Sequence, residues 1–157
     1  MTARTVDAAA AFAQLYQRWF DDAPELAVEN ARHAGSVVGS PVADLLALWD
    51  DRARAWLPGT PAILRFERCD LAVFTMRAPH IALFLGSIET GSPASAFGAA
   101  LRWRSFRPCS YAIGRTVAEL ALNVDEDGFA TGLELLLEDG GRLALGDPTA
   151  RELPRAV

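Results

Sequence analysis

There is no lysine in this chain; all 15 basic residues are arginine. Chemistry built on a lysine amine is thereby excluded: no Schiff base, no phosphate-loop lysine, no Ser–Lys pair. Histidine and cysteine are scarce as well, with two of each, which leaves few groups that titrate near neutrality or ligate a soft metal. No CxxC or HxxxH spacing occurs, no serine lies in GxSxG, and no glycine-rich loop of the GxGxxG or GxxxxGK form is present. The expectation is a protein with no catalytic residue, no metal and no cofactor. Positive charge is also short: 15 basic residues face 20 acidic ones, for a formal net charge of -5. Nonspecific nucleic-acid binding depends on neutralising phosphates, so direct binding of DNA or RNA is not expected, and a basic protein partner suits the balance better.

Long apolar runs are missing too. None approaches the roughly 20 residues that cross a bilayer as a helix. The stretch Ala8 to Ala13, preceded by Asp7 and followed by Gln14, does not read as a signal peptide, and a cytosolic location is the expectation. Cys69 and Cys109 are too few and too far apart for a disulfide framework; reduced thiols in or near the core are expected.

What is present is ample core material. The 157 residues are 51% apolar, with four Trp and eight Phe. A chain of this size buries about 70% of its unfolded surface in one core, so a single domain over 1–157 is expected, with a helical part at 5–57, a sheet part at 60–147 and a tail at 148–157. Phe12, Leu15, Tyr16, Trp19 and Phe20 recur at helical spacing and predict an amphipathic first helix with an aromatic core stripe. Asp22 and Pro24 then mark a restart, as a cap and a first-turn proline, and the second helix runs to Ala34 and stops at Gly35. Ser40-Pro41 opens a predicted third helix, lined by Val42, Leu45, Leu46, Trp49, Ala53 and Trp56 and ended by Pro58-Gly59.

From Ala62 the period becomes two. Ala62, Leu64 and Phe66, then Leu71 to Met76, then Ile81 to Leu85 form a first meander broken at Arg68–Asp70 and Ala78-Pro79. The third run is apolar on both sides, so a central or helix-covered strand is expected. Gly91 to Gly98 is loop-like, and Leu101 to Pro108 fits either a short strand or a turn of helix. A second meander follows, with turns at Asp125-Glu126-Asp127-Gly128 and Asp139-Gly140-Gly141. The fold class is therefore α+β: three N-terminal helices packed on an antiparallel sheet of about six strands in two meanders.

Few residues stand out as chemical candidates. Glu29 lies four residues before His33 on the second helix, a pairing that would hold an imidazole as a general base requires and that a surface ion pair explains equally. His80 sits at a turn, where a solvated role suffices. Arg102-Trp103-Arg104-Ser105-Phe106-Arg107 interleaves cations with aromatics as phosphate and base grips do, although arginines packed over a sheet edge or paired with carboxylates account for it too. Cys109 would need a neighbouring His and a cationic setting to act as a nucleophile. The acidic groups Asp125, Glu126 and Asp127, with Glu138 and Asp139, fall at turns that favour Asp for backbone reasons; if they converge, they form a negative patch that steers a basic partner.

The stretch Ile113 to Asp147, running IGRTVAEL and then ATGLELLLEDGGRLALGD, resembles the C-terminal part of small bacterial immunity proteins from contact-dependent growth inhibition and related polymorphic toxin systems. The resemblance covers about a fifth of the chain. It implies a non-catalytic protein that binds and neutralises a cognate, basic toxin domain, with Asp125, Glu126, Asp127, Glu138 and Asp139 at or near the contact surface. A second reading is an α+β cone of the nuclear transport factor 2-like kind, in which Trp19, Trp49, Trp56 and Phe84 line a pocket for a small apolar ligand with His33 or Asp70 as its polar group. A third is a structural module that homo-oligomerises through an exposed strand edge.

Overall fold

A computed structural model describes residues 5–57, 61–91, 94, 97, 98, 100–146 and 155–156. The predicted stop at Pro58-Gly59, part of the loop between Gly91 and Gly98, and all but 155–156 of the tail at 148–157 lie outside the described residues. Two α-helices, α1 (Ala8–Asp21) and α2 (Ala23–Ser36), lie in the N-terminal part, directly after a short first strand. The break and restart at Asp22–Pro24 are where the sequence places them, but the side-chain cap expected of Asp22 is not made. Asp7 accepts the amides of Ala9 and Ala10 at the start of α1, and Asp22 and Pro24 occupy the entry to α2.

Seven strands, one before the helices and six after them, form one sheet: β1 (Thr5–Asp7), β2 (Val42–Asp50), β3 (Ala55–Trp56), β4 (Ala62–Phe66), β5 (Asp70–Arg77), β6 (His80–Glu89) and β7 (Leu101–Ser105). The spatial order is β1-β6-β5-β4-β2, with β3 continuing along the β4 side of β2 and β7 pairing its other edge. β1 is parallel to β6, and the remaining pairs are antiparallel. A 3-10 helix, Arg107–Ala112, leads to the second sheet of β8 (Val117–Val124), β9 (Ala130–Leu137), β10 (Arg142–Leu145) and β11 (Arg155–Ala156), in the order β11-β10-β9-β8. The β8–β9 and β9–β10 turns place Gly128 at φ 87° and Gly140 at φ 93°, the left-handed region where an L side chain is strained.

Side-chain alternation builds three layers from these parts. Leu45, Ala47, Leu64, Leu71, Val73, Ile81 and Leu83 point to one face of the large sheet and meet Val117, Leu133, Leu135, Leu137, Leu143 and Leu145 of the small one. Their neighbours Leu46, Leu48, Ile63, Ala72, Phe74, Met76 and Ala82 point the other way, onto Ala8, Ala11 and Leu15 of α1 and Leu26 of α2. The large sheet is thus apolar on both faces and buried on both, at roughly 1.5–3 kcal/mol per fully buried aliphatic side chain.

This corrects the third helix. Val42 to Asp50 is strand β2, not helix, and residues 51–54 are the turn into β3. Leu45, Leu46, Ala47 and Leu48 are all buried, and a strand covered on both faces reads as a continuous apolar run in which helical spacing arises by chance. The two expected meanders are present, but they belong to different, stacked sheets rather than to one sheet of about six strands. The both-sided apolar run is β6, covered by helix on one face and the small sheet on the other. The ambiguous segment is both things in turn, β7 and then the 3-10 helix. The stripe on α1 is also corrected: Ala8, Ala11 and Leu15 make the contact, Phe12 and Trp19 are half-buried, and Tyr16 and Phe20 are 40% and 77% exposed.

Asn30 explains how α2 sits. It is one of two buried polar side chains among the described residues, and its Oδ1 accepts the Leu83 amide of β6 at 3.0 Å. β1 pairs only Ser87 to Glu89 of β6, so the edge at Leu83 is exposed to no strand and the helix side chain replaces the missing one. The other buried polar side chain, Asp70, accepts the Ile88 amide at 2.8 Å and the Arg65 guanidinium at 3.0 Å, tying β4, β5 and β6 at one end. Asn30→Leu should lower stability by about 1–3 kcal/mol, because it strands a buried amide without a partner. Urea unfolding with an unchanged m-value checks this.

Candidate functional site

Three segments far apart in sequence meet at one corner: the last turns of α1, the β5–β6 turn and the β8–β9 hairpin. Trp19 arrives on α1, His80 opens β6, and Asp125 and Phe129 flank the hairpin turn. The His80 ring lies flat on Phe129, with centroids 4.2 Å apart and planes at 15°, and Trp19 packs against both, at 5.8 Å from His80 and 6.3 Å from Phe129. Tyr16, one turn back on the helix, is 5.7 Å from Trp19.

Asp125 organises the hairpin. Its Oδ1 accepts the amides of Asp127 at 3.0 Å and Phe129 at 2.9 Å, and its Oδ2 pairs with His80 Nε2 at 3.0 Å. Partial burial works to raise this carboxyl, but the Phe129 amide, the His80 ring and the Asp127 amide outweigh it and hold its pKa below the usual value. His80 is accordingly not a solvated turn residue. With Nε2–H donating to Asp125, its Nδ1 is buried and has no hydrogen-bond partner, and Trp19 Nε1 is in the same condition. A general base needs one ring nitrogen within reach of a substrate proton; here one is used by the carboxylate and the other is enclosed. The pair is a clasp that fastens the small sheet to the corner. Buried polar groups left unmet cost about 1–3 kcal/mol each, so this corner is held less firmly than the cores on either side of it.

The five acidic residues singled out in the sequence do not converge. Asp125, Glu126 and Asp127 lie at one end of β9 and Glu138 and Asp139 at the other, and eight strand residues at about 3.3 Å each separate them by about 26 Å. Glu126, Asp127, Glu138 and Asp139 are all exposed. Asp139 is tied locally, accepting the Gly141 amide at 3.0 Å and pairing with Arg115 at 3.1 Å. The first group gains neighbours instead. Exposed Asp21 and Asp22 end α1, next to Phe20 and within a turn of Trp19, while exposed Arg77 closes β5 across from His80. The hairpin that carries Asp125, Glu126 and Asp127 and the helix that ends in Asp21 and Asp22 are thus joined through Trp19 and Phe129, and Tyr16 and Phe20 stand exposed on that helix; Asp21 accepts from Gln17 and Asp22 is hydrogen-bonded to Glu25.

The remaining candidates resolve into structural roles. Glu29 does contact His33, at 3.1 Å, but its other oxygen takes Arg18 of α1 at 2.6 Å. The Arg18 hydrogen bond pulls the Glu29 carboxyl down to about 2, which makes it a weak proton acceptor and a bridge between the helices. Burial pushes the Cys109 thiol up to about 11 and also raises Cys69, so neither is poised as a nucleophile. In the Arg-rich segment, Trp103 points inward, Arg102 pairs with Asp51 at 2.7 Å, and the Arg104 guanidinium lies 5.0 Å from the centre of the Trp49 ring. A groove of about 580 Å3 opens there beside Asp51, Thr90, Arg102 and Trp103, and its charged pair is already matched.

The aromatics of the cone reading lie on opposite faces of the large sheet. Trp19 and Phe84 lie on the helical side of the large sheet, whereas Trp49 contacts Trp56, which packs at 4.9 Å on Phe106 in the opposite core. No group of three or more His, Cys, Asp or Glu able to hold a metal occurs among the described residues, and none of the helices described there is long and apolar enough to cross a membrane. Comparison with protein-family models, with curated proteins and with solved structures finds no match to this chain.

The Glu29 bridge carries a pH dependence of definite sign. Its folded pKa of about 2 lies below its ordinary value of 4.5, so its stabilisation is complete above pH 4.5 and is lost as pH falls toward 2. Allowing for solvent screening at this partly exposed pair, Glu29→Gln should cost on the order of 1 kcal/mol at neutral pH and remove that part of the acid sensitivity. Denaturant midpoints of both proteins at neutral and acid pH measure it.

Proposed function

We propose that this chain is a non-catalytic binding protein of the immunity type, which seats a basic protein domain on the corner formed by α1 and the β8–β9 hairpin and neutralises it there. The observation that carries the reading is the combination of exposed aromatics and exposed acid on two joined elements: Tyr16 and Phe20 stand exposed on α1, and Trp19 of the same helix packs on Phe129 of the hairpin that carries exposed Glu126 and Asp127. Aromatic anchors within a polar rim are the composition of interface hot spots, and a field of one sign speeds encounter with a partner of the other. The resemblance of Ile113 to Asp147 to immunity proteins supports the same class, as does the net charge of -5. The clasp contributes by fixing the hairpin: Asp125 spends its oxygens on His80 and the turn amides, leaving Glu126 and Asp127 free to face a partner. Glu138 and Asp139, at the far end of β9, form a second acidic site that a partner reaches only by spanning the small sheet.

A basic protein, retained in one-to-one ratio from a native lysate at low salt and released at high salt, is the expected result of co-purification. Phe20→Ala and the double charge reversal Glu126→Arg/Asp127→Arg should each weaken that retention about tenfold or more, with Glu138→Arg/Asp139→Arg having the smaller effect. Retention indifferent to both corner variants would sink the placement, and absence of any retained protein would count against the class.

A further inference from the structure

The groove of about 580 Å3 is lined by Thr90 and Gly91, which follow β6, and by Leu101, Arg102 and Trp103 of β7. Its volume is that of a small-molecule cleft. Leu101 and Trp103, 4% and 8% exposed, give it an apolar wall. Among the described residues its charged lining is Asp51 and Arg102, one charge of each sign and no net charge.

The backbone is contorted where that pair forms. Ala100, also in the lining, stands at φ 71°, one of two non-glycine residues with positive φ among those described. An L side chain is strained there, and strain of this kind clusters at ligand clamps and active sites, where the surroundings hold it. Here the Ala100 carbonyl accepts the Asp51 amide at 3.1 Å, and the Leu101 carbonyl accepts the Ala94 amide at 2.9 Å. Asp51 is thereby set beside Arg102, and its Oδ2 accepts from Arg102 Nε at 2.7 Å. The two side chains remain 40% and 61% exposed, and a pair this open to water is held weakly. It uses one oxygen and one nitrogen, leaving Asp51 Oδ1 and both terminal nitrogens of Arg102 to other partners. Thr90 is held from behind: its Oγ1 accepts from Arg65 Nη2 at 3.3 Å, and Arg65 is fixed by buried Asp70. The Thr90 hydroxyl proton remains to donate.

We propose that this groove binds a free α-amino acid with a large apolar side chain. A cation and an anion in contact on the protein call for an anion and a cation equally close on the ligand, as the carboxylate and ammonium of one α-carbon are. The ligand carboxylate takes the terminal nitrogens of Arg102, whose fork fits it, and the ammonium takes Asp51 Oδ1. Thr90 supplies a further donor, and the ligand side chain lies against Leu101 and Trp103. A ligand of one charge satisfies one of the two residues and is repelled by the other. An extended peptide carries its terminal charges too far apart for both. β6 opens at His80 in the corner and Thr90 follows its other end, about 30 Å away at 3.3 Å per residue. The amino-acid site is therefore separate from the seat proposed for a protein partner.

Amide chemical shifts of the full chain, titrated with L-leucine or L-phenylalanine to millimolar concentration, test this. Saturable shifts at Thr90, Gly91, Leu101 and Arg102 are expected from both. N-acetyl-L-phenylalanine lacks the ammonium and L-phenylalanine amide lacks the carboxylate, and each should bind about tenfold or more weakly. Asp51→Asn and Arg102→Gln should weaken phenylalanine binding to the same extent, in proteins whose dispersed spectra show them folded. The capped ligands make the same test on the wild type if a variant unfolds. No shifts from either amino acid, capped ligands that bind as tightly as phenylalanine, or shifts confined to other residues overturn the proposal.

Discussion

The large sheet has no polar face, and everything else in the molecule follows from the need to cover both sides of it. Along β2, β4, β5 and β6 successive residues are buried in opposite directions, one set under α1 and α2 and the other under the small sheet. An antiparallel sheet commonly leaves one face to water; this one cannot. The C-terminal meander is therefore a lid on the second core rather than an extension of the first sheet, and the short interface residues of α1, Ala8 and Ala11, let the helix approach the other side closely. Where the strands run out, side chains substitute for strands: Asn30 at the edge of β6, and Asp70 with Arg65 at the ends of β4 and β5.

The corner is where this covering is least complete. Large sheet and small sheet meet there through one ring stack and one ion pair, the helix joins through Trp19 packed on both rings, and two buried polar atoms go without partners. Elements joined by few satisfied contacts are the ones that yield locally, and surfaces that adapt to partners are drawn from such regions. The acidic hairpin is thus held in place by a contact strong enough to orient it and weak enough to adjust. That combination, with exposed aromatics alongside, is what supports the partner seat proposed here.

Much of the fold was legible in the sequence because its signals are local. The α1 pattern, the Asp22-Pro24 restart, the turns at Asp125–Gly128 and Asp139–Gly141, and the alternation of the β4–β6 and β8–β10 meanders each depend on neighbouring residues. β2 was misread for a physical reason: burial on both faces erases the period-two signature, and Ser40-Pro41 ahead of it looks like a helix start. The stacking of two sheets was invisible because it rests on pairing across the whole chain. The site was legible only in pieces. Asp125, Glu126 and Asp127 stood out by charge, but His80 looked like a turn residue and Trp19 like core, and no spacing rule joins positions 19, 80 and 125. The coincidence of a His beside one turn and an Asp in another was the only available clue.

The proposed partner seat exists only if these three segments meet in solution. Nuclear Overhauser measurements on the native protein address this directly. The His80 ring protons should show cross-peaks to the Phe129 ring and to the Trp19 indole, with the Asp125–Phe129 amides slow to exchange. A His80 ring that sees neither aromatic, beside a hairpin whose amides exchange at the rate of an open loop, would contradict the corner and the function placed upon it.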